Sequence, residues 1–180
     1  MKNRFSLELK LNIRRCERHD LPQPEWFGLY TEHRQLIEDA FRRQQAGEVV
    51  MLLADLDGFP VGQAWLDFSA QAADSVGAMP ARVFPLLRNY GIGTHLMIAA
   101  EQLLFEKGYR CSELTVDKHE PRTRRLYERL GYRSMGSTEG LLSYTTPDKR
   151  LAALNLQLWI LRKPLRPGTM DGEVSQTSGE

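Results

Sequence analysis

The order in which two repeating patterns follow each other restricts the fold more than any other feature of the chain. Residues 49–54 and 61–68 have the composition of strands and flank the dipeptide Asp57-Gly58, which is typical of a tight hairpin turn. After this hairpin, segments with strand and helix periodicity alternate. Strands that start antiparallel and then alternate with helices predict an α/β fold. We expect a single mixed, mostly antiparallel sheet of about six or seven strands, with helices on both faces.

The remaining elements follow from apolar spacing and turn residues. Residues 25–45 have helical spacing and predict one helix or two consecutive helices. Helices are also predicted at residues 93–107 and 121–130, and further strands at residues 7–15, 77–84, 110–116, 132–137 and 154–161. In the strand over residues 61–68, Ala64, Leu66 and Phe68 share one face, while Gln63, Trp65 and Asp67 share the other.

The composition is typical of one globular domain. The 180 residues predict a domain over residues 1–165 and a polar tail, residues 166–180, that we expect to be disordered. Lys and Arg number 24 and Asp and Glu 23, and this balance argues against a nucleic-acid or membrane-surface partner. Since the chain also lacks a long apolar run and a secretory signal at its start, we expect a cytoplasmic protein. The two cysteines, Cys16 and Cys111, have no metal-type spacing to a histidine, so no metal site is predicted.

A glycine-rich segment, residues 88–94, lies between a predicted strand and a predicted helix. Glycine allows a ligand to approach the backbone closely, and the first N–H groups of a helix have no internal partner. With the helix dipole and Arg88, these groups form a site suited to a pyrophosphate. The segment is neither a dinucleotide fingerprint, which needs glycine at Leu96, nor a Walker A loop. The alternative is that Gly91 and Gly93 only form a tight turn.

A second segment follows the next predicted strand. Pro121 fits the first turn of a helix, and Gly131 is placed to end it. Leu126 and Leu130 lie four residues apart on one face, and Tyr127 lies on a neighbouring face that can point toward the sheet edge.

Together these segments resemble the GNAT superfamily of acetyl-CoA-dependent N-acetyltransferases. The first family motif, Arg/Gln-x-x-Gly-x-Gly/Ala, is matched by Arg88, Gly91 and Gly93, with Val83 and Pro85 at the usual distance before it. The second motif, Asn-x-x-Ala-x-x-Leu-Tyr-Glu-x-x-Gly-Phe, is matched at Leu126, Tyr127, Glu128, Gly131 and Tyr132. Glu120 and Thr123 stand where the motif has Asn and Ala, and the first departure concerns a side-chain contact to the pantetheine arm.

The resemblance implies that acetyl-CoA is the co-substrate, with its pyrophosphate on the glycine-rich loop and its pantetheine arm along the strand that ends near Val83. It also implies that Tyr127 is the catalytic proton donor to the departing thiolate. A backbone N–H near Val83 would stabilise the oxyanion. The cofactor-binding residues expected on this basis are Val83, Phe84, Pro85, Arg88, Asn89, Tyr90, Gly91, Ile92, Gly93, Thr94, Glu120 and Tyr127.

The residues leave the general base and the acceptor site open. Carboxylates or a histidine could serve as the base, directly or through water, and so could solvent; the candidates are Asp67, Glu113, Asp117, His119 and Glu120. Three arginines could neutralise the remaining phosphate of CoA or form a solvated helix face: Arg124, Arg125 and Arg129. Aromatic and acidic residues could hold a cationic amine or form core and rim, and these are Trp26, Tyr30, Glu32, His33, Trp65, Asp67, Tyr144 and Trp159.

The predicted function is therefore transfer of an acetyl group from acetyl-CoA to a primary amine, in the first place that of a small molecule. A protein or peptide N-acetyltransferase and a non-catalytic acyl-CoA-binding regulatory module are the alternatives, and a nucleotide-phosphate enzyme is a third. Apart from the amine, a homodimer is the partner considered.

Overall fold

The computed structural model describes residues 10–21, 23–72, 75–145 and 150–166. The strands within these ranges are β1 Leu11–Arg15, β2 Val49–Leu56, β3 Phe59–Ala72, β4 Ser75–Val83, β5 Cys111–Asp117, β6 Arg133–Thr145 and β7 Leu151–Pro164. The α-helices are α1 Arg34–Gln45, α2 Ile92–Glu106 and α3 Pro121–Arg129. Among the described helices, none has the length and apolar character needed to cross a membrane.

The strands form one mixed sheet in the order β1-β2-β3-β4-β5-β7-β6. β4 and β5 are parallel, and the other neighbouring pairs are antiparallel. Asp57 and Gly58 connect β2 to β3 with φ values of 49° and 89°, as the predicted tight turn requires. The prediction of a single mixed, mostly antiparallel sheet is confirmed.

Helices cover both faces of this sheet, also as predicted. Successive strand residues point to opposite faces, so β3 contributes to two cores. Ala64 and Leu66 belong to a larger core that includes residues of α2 and α3, such as Leu96 and Tyr127. Trp65 belongs to a smaller core that includes residues of α1.

The segment before α1 differs from the predicted one or two consecutive helices. Only its part from residue 34 is α-helical; short 3-10 turns precede it at Gln23–Glu25 and Thr31–His33. Trp26, Phe27 and Gly28 have positive φ values of 45°, 58° and 90°, which a right-handed helix excludes. The aromatic residues in this region are therefore carried by a turn, beside the sheet.

The last two strands are longer than predicted. β6 continues to residue 145 rather than ending at 137, and β7 spans residues 151–164. Pairing with β7 along nearly its whole length makes β6 a strand, although its small and polar residues show little alternation. The predicted start of the first strand, residues 7–9, and the tail from residue 167 lie outside the described residues.

Candidate active site

β4 and β5 separate part-way along their length. Their parallel pairing extends only from Ser75 opposite Cys111 to Ala78 opposite Leu114. Beyond that point β4 pairs with β3, and β5 pairs with β7. Within the described ranges, residues 79–83 of β4 therefore have no partner on the β5 side, which leaves a groove at the carboxyl ends of two parallel strands. This is where ligands bind in open α/β sheets.

A bulge in β4 lies at this groove. Trp65 of β3 pairs with Met79 and Gln63 pairs with Arg82, so β4 has one extra residue between the two pairs. A bulge leaves backbone groups unpaired and changes the direction of side chains. The N–H of Ala81, inside the bulge, donates a hydrogen bond to the hydroxyl oxygen of Tyr127 at 2.8 Å.

Tyr127 reaches the bulge from α3. Its side chain is fully buried, at 0% exposure, and its ring lies edge-on to Tyr132 at 5.6 Å between centroids. Pro121 begins α3 and Gly131, with a φ of 92°, follows its end, so the two residues limit the helix as predicted. Burial raises the pKa of Tyr127 to about 12, and the Ala81 hydrogen bond only partly opposes this. The hydroxyl is thus protonated at neutral pH and can donate a proton.

The glycine-rich loop connects β4 to α2. Gly91 precedes the helix with a φ of 81°, in the left-handed region, so this position requires glycine for the turn itself. Gly93 differs, because a Cβ there would meet Val83 Cγ2 at 3.6 Å, an ordinary van der Waals contact. Packing does not demand glycine at residue 93. The first N–H groups of α2, which begins at Ile92, have no partner within the helix and can bind a ligand.

The other residues predicted to bind the cofactor lie in this loop, just before it, or at the start of α3. Arg88, Asn89, Tyr90 and Glu120 are exposed, whereas Ile92 is buried in the larger core. Arg88 folds back, and its Nε donates to the carbonyl oxygen of Val83 at 3.2 Å. The remaining three are Phe84, whose N–H bonds to β3, Pro85, which begins a 3-10 turn, and the partly buried Thr94.

Two of the candidate bases are held by arginines. Arg162 donates to Glu113 at 2.7 Å, and Arg43 donates to Asp67 at 2.7 Å. Burial opposes ionisation of Asp67, but the hydrogen bonds from Arg43 and Ser69 outweigh burial and lower its pKa. A carboxylate with a lowered pKa is a weak base.

Asp117 is engaged as well. Its Oδ1 accepts the backbone N–H of His119 at 2.8 Å, and this hydrogen bond is the main reason that its pKa is lowered. His119 lies 2.9 Å from the same oxygen through Nδ1 and is otherwise exposed. Asp117, with its lowered pKa, is therefore a weak base, and His119 is not in the shielded position that favours a general base.

An aromatic cluster lies beside the exposed end of β4. Trp26 is buried, and its Nε1 donates to the carbonyl oxygen of Pro60 at 2.7 Å. Its ring contacts Tyr30 edge-on at 5.4 Å and Phe84 at 5.9 Å, and Tyr30 stacks on His33 at 5.6 Å. Burial lowers the pKa of His33, and so does the nearby Arg82, so His33 is neutral at pH 7.

The structure brings only some of the predicted acceptor residues together. Trp26, Tyr30 and His33 form this cluster, whereas Trp159 packs against the larger core beneath the cations of Lys118 and Arg124. Trp65 belongs to the smaller core, and Oε1 of Glu32 lies 3.8 Å from Nε2 of His33. The side chain of Tyr144 lies outside the described residues.

Arg82 and Gln63 lie beside this cluster as well, although neither is among the site residues that the sequence predicts. Both lie on the face of the sheet opposite Ala81 and Val83, which pack against the larger core. Alternation along β4 could have indicated an arginine on that face, but the strand has a weak pattern because of the bulge.

Among the described residues, no group of three or more His, Cys, Asp and Glu side chains is placed to hold a metal ion. Arg124 bonds to Glu128 at 2.8 Å on the surface of α3, and Arg125 and Arg129 are exposed on the same helix.

Comparison with known proteins shows to which family the chain belongs. Residues 16–132 match the model of the acetyltransferase (GNAT) family. A search of curated proteins found no significant match. Similar solved structures include PaiA N-acetyltransferase from Thermoplasma acidophilum in complex with coenzyme A, at 18% identity and a TM-score of 0.63, covering 86% of this chain and 99% of that one.

Two further structures contain acetyl-CoA. NAA60 from Arabidopsis thaliana is 15% identical with a TM-score of 0.66, and the alignment covers 86% of this chain and 98% of that chain. The yncA protein from Salmonella typhimurium is 14% identical with a TM-score of 0.65, and the alignment covers 88% of this chain and 95% of that chain. At these identities the structural likeness supports the fold.

Proposed function

Because the chain belongs to the GNAT acetyltransferase family, we propose that it transfers the acetyl group of acetyl-CoA directly to the primary amine of a small molecule. The observation that supports this most is the 2.8 Å hydrogen bond between the Tyr127 hydroxyl and the N–H of Ala81. This bond joins a neutral acid to a backbone donor that has no strand partner among the described residues, at one point of the groove. Direct acyl transfer needs both kinds of donor.

The loop before α2 suits the diphosphate of the donor substrate. The first N–H groups of α2 have no partner within the helix, and an anion bound to them interacts favourably with the helix dipole. Arg88 is exposed on the same loop and can leave the Val83 carbonyl to pair with a phosphate. The carbonyl of Val83 is then released. It and the backbone groups of residues 79–83 that do not pair with β3 bond to the pantetheine amides.

Two groups act on the thioester. The Ala81 N–H donates a hydrogen bond to the carbonyl oxygen and stabilises the negative charge that develops there. Tyr127, whose hydroxyl no longer accepts from Ala81, donates its proton to the sulfur as the C–S bond breaks. The attacking nitrogen then loses a proton to water, and water returns a proton to the tyrosinate. With its pKa raised to about 12, the hydroxyl keeps its proton at neutral pH until the sulfur departs.

The acceptor amine must be neutral when it attacks. Glu113, Asp67 and Asp117 are already held by an arginine or an N–H group, so they are poorly placed to remove its proton. The other two candidates, His119 and Glu120, are exposed to solvent. We therefore assign this proton to water, and expect the rate to rise with pH as more of the amine becomes neutral.

Tyr127→Phe tests the proposal. We expect this variant to lower kcat about 10²- to 10⁴-fold, the usual contribution of a positioned acid, while the Kd for acetyl-CoA stays within about threefold. The measurement is release of free thiol from acetyl-CoA with a panel of primary amines, together with calorimetric titration of acetyl-CoA.

Tyr132→Phe is the matched control. Tyr132 is also buried, at 2% exposure, but its hydroxyl bonds to Ser112 at 2.8 Å and does not reach β4. Loss of the Tyr132–Ser112 hydrogen bond should reduce the free energy of unfolding without changing kcat. Equal losses of kcat in both variants would contradict the role of Tyr127, and binding of acetyl-CoA without turnover of any amine would favour a non-catalytic acyl-CoA module.

A further inference from the structure

Arg82 is a positive charge that acetyl transfer itself does not use. Its side chain is partly buried, and Cζ lies 5.6 Å from the centroid of the Tyr30 ring. Within the ranges that the structure describes, no side chain forms an ion pair or hydrogen bond with its guanidinium. Burial lowers the pKa of Arg82, and the nearby Tyr30 and Glu32 do not compensate for this loss of hydration. At neutral pH the group nevertheless remains a cation.

Gln63 is the cross-strand neighbour of Arg82. The two residues are paired in register between β3 and β4, so their side chains lie on the same face. Gln63 is 2% exposed, and its Oε1 accepts a hydrogen bond from Trp65 Nε1 at 3.0 Å. The Nε2 of Gln63 is also buried and has no acceptor among the described residues. A buried donor without an acceptor is costly and is seldom kept without a reason.

These two observations indicate the same kind of ligand. An unpaired guanidinium has a planar fork of donors that matches the two oxygens of a carboxylate. The amide of Gln63 adds a donor that an oxygen atom can satisfy. The Tyr30 ring lies against the guanidinium, and His33, stacked on Tyr30, is neutral, so Arg82 supplies the positive charge at this place.

We propose that Arg82 and Gln63 bind a carboxylate of the acceptor, so that the amine acetylated is an amino acid or a related amino carboxylate. This identification depends on the acetyl transfer proposed above. Arg82 follows Ala81 directly in β4, and consecutive strand residues point to opposite faces. The Ala81 group that faces the thioester is its backbone N–H, and the Arg82 group that faces Tyr30 is its side chain. An acceptor that enters beside Tyr30 can present its amine to the thioester near Ala81 and its carboxylate to Arg82.

Matched pairs of acceptors test the proposal on the full chain. Each pair consists of an amino acid and the corresponding amino acid amide, which keeps the amine and the side chain but lacks the negative charge of the carboxylate. We expect kcat/KM to favour the acid at least tenfold when both are compared at equal concentrations of neutral amine. Arg82→Gln should lower kcat/KM for the acid about 10- to 100-fold, mainly through KM, and leave the amide within about threefold.

Arg42→Gln is the control, because it removes a positive charge from an exposed position of α1. It should leave both acceptors unchanged. If Arg82→Gln does not fold, inhibition of the wild-type enzyme by simple carboxylates, competitive with the amino acid, replaces it. Equal use of acid and amide by the wild-type enzyme would overturn the proposal, as would an equal loss on both acceptors in Arg82→Gln.

Gln63→Glu gives a second, independent measurement. The new carboxylate would lie beside Arg82 and pair with it, so the acid should lose at least tenfold in kcat/KM while the amide keeps its value. Unchanged use of the acid would count against the site. If acetyl-CoA does not bind, or if no amine releases thiol, the proposed acetyl transfer itself is wrong. Turnover of amines without preference for carboxylates would contradict only the carboxylate site.

Discussion

Two arginines of the sheet, Arg14 in β1 and Arg82 in β4, have opposite surroundings. Arg14 donates to both oxygens of Asp20 and to Asp55, each at 2.7 Å. These hydrogen bonds to Asp20 raise the pKa of Arg14 further. Arg82 is partly buried as well, but no carboxylate among the described residues bonds to it, and burial lowers its pKa.

The comparison separates a structural charge from one available to a ligand. Asp20 is completely buried and joins the turn after β1 to the sheet through Arg14, so this cation stabilises the fold. Charged side chains are seldom buried unless they are paired. Arg82, next to the groove and beside the unsatisfied amide of Gln63, has the character expected of a group that pairs only when a substrate is present.

Arg14→Met should have the largest effect on stability. It leaves Asp20 and Asp55 without their cation, and removing one partner of such a buried pair costs about 3 kcal/mol of unfolding free energy. Chemical denaturation measures the loss. The neighbouring exposed Arg15→Met, which disturbs no carboxylate among the described residues, should cost less than about 0.5 kcal/mol. Similar losses of unfolding free energy in both variants would contradict the structural role of Arg14.

Acid should weaken the same ion pair. Burial disfavours the Asp20 carboxylate, but hydrogen bonds from Arg14 and the backbone N–H of Glu17 outweigh burial and lower its pKa below 3.8. A lowered folded-state pKa gives stability that is fully present above the unfolded value and is lost as pH falls through the folded value.

The stability difference between the wild type and Asp20→Asn should therefore be constant above about pH 5 and shrink at lower pH. Denaturation midpoints measured across this range test it. A difference that stays constant down to the lowest pH would mean that Asp20 does not titrate with a lowered pKa.

Arg82→Met should have the smallest effect on stability. In the absence of substrate it replaces an unpaired, partly buried cation with an apolar side chain of similar length, so the unfolding free energy should change by less than about 1 kcal/mol or rise. Thermal denaturation without ligand measures this. A loss as large as that of Arg14→Met would show that Arg82 has a structural partner in the folded protein, and would reduce its value as a binding residue.

The parts of the fold and site that depend on local patterns could be predicted. The hairpin turn at Asp57-Gly58, the two faces of β3 and the position of Tyr127 on α3 follow from turn residues and periodicity. The length of β6 could not, because pairing with β7 rather than alternation determines it. Arg82 was missed for a similar reason, since the bulge in β4 interrupts the pattern that would have shown its face.

The order of the elements, the glycine-rich turn and the family resemblance can be read from the amino-acid sequence alone, because each depends on residues close together along the chain. Which polar groups meet, in contrast, depends on how the chain folds. Tyr127 reaches Ala81 across 46 residues, and Arg14 reaches Asp55 across 41. Whether a charge is paired depends on such distant contacts. The same residue type therefore stabilises the fold at Arg14 and remains open to a ligand at Arg82.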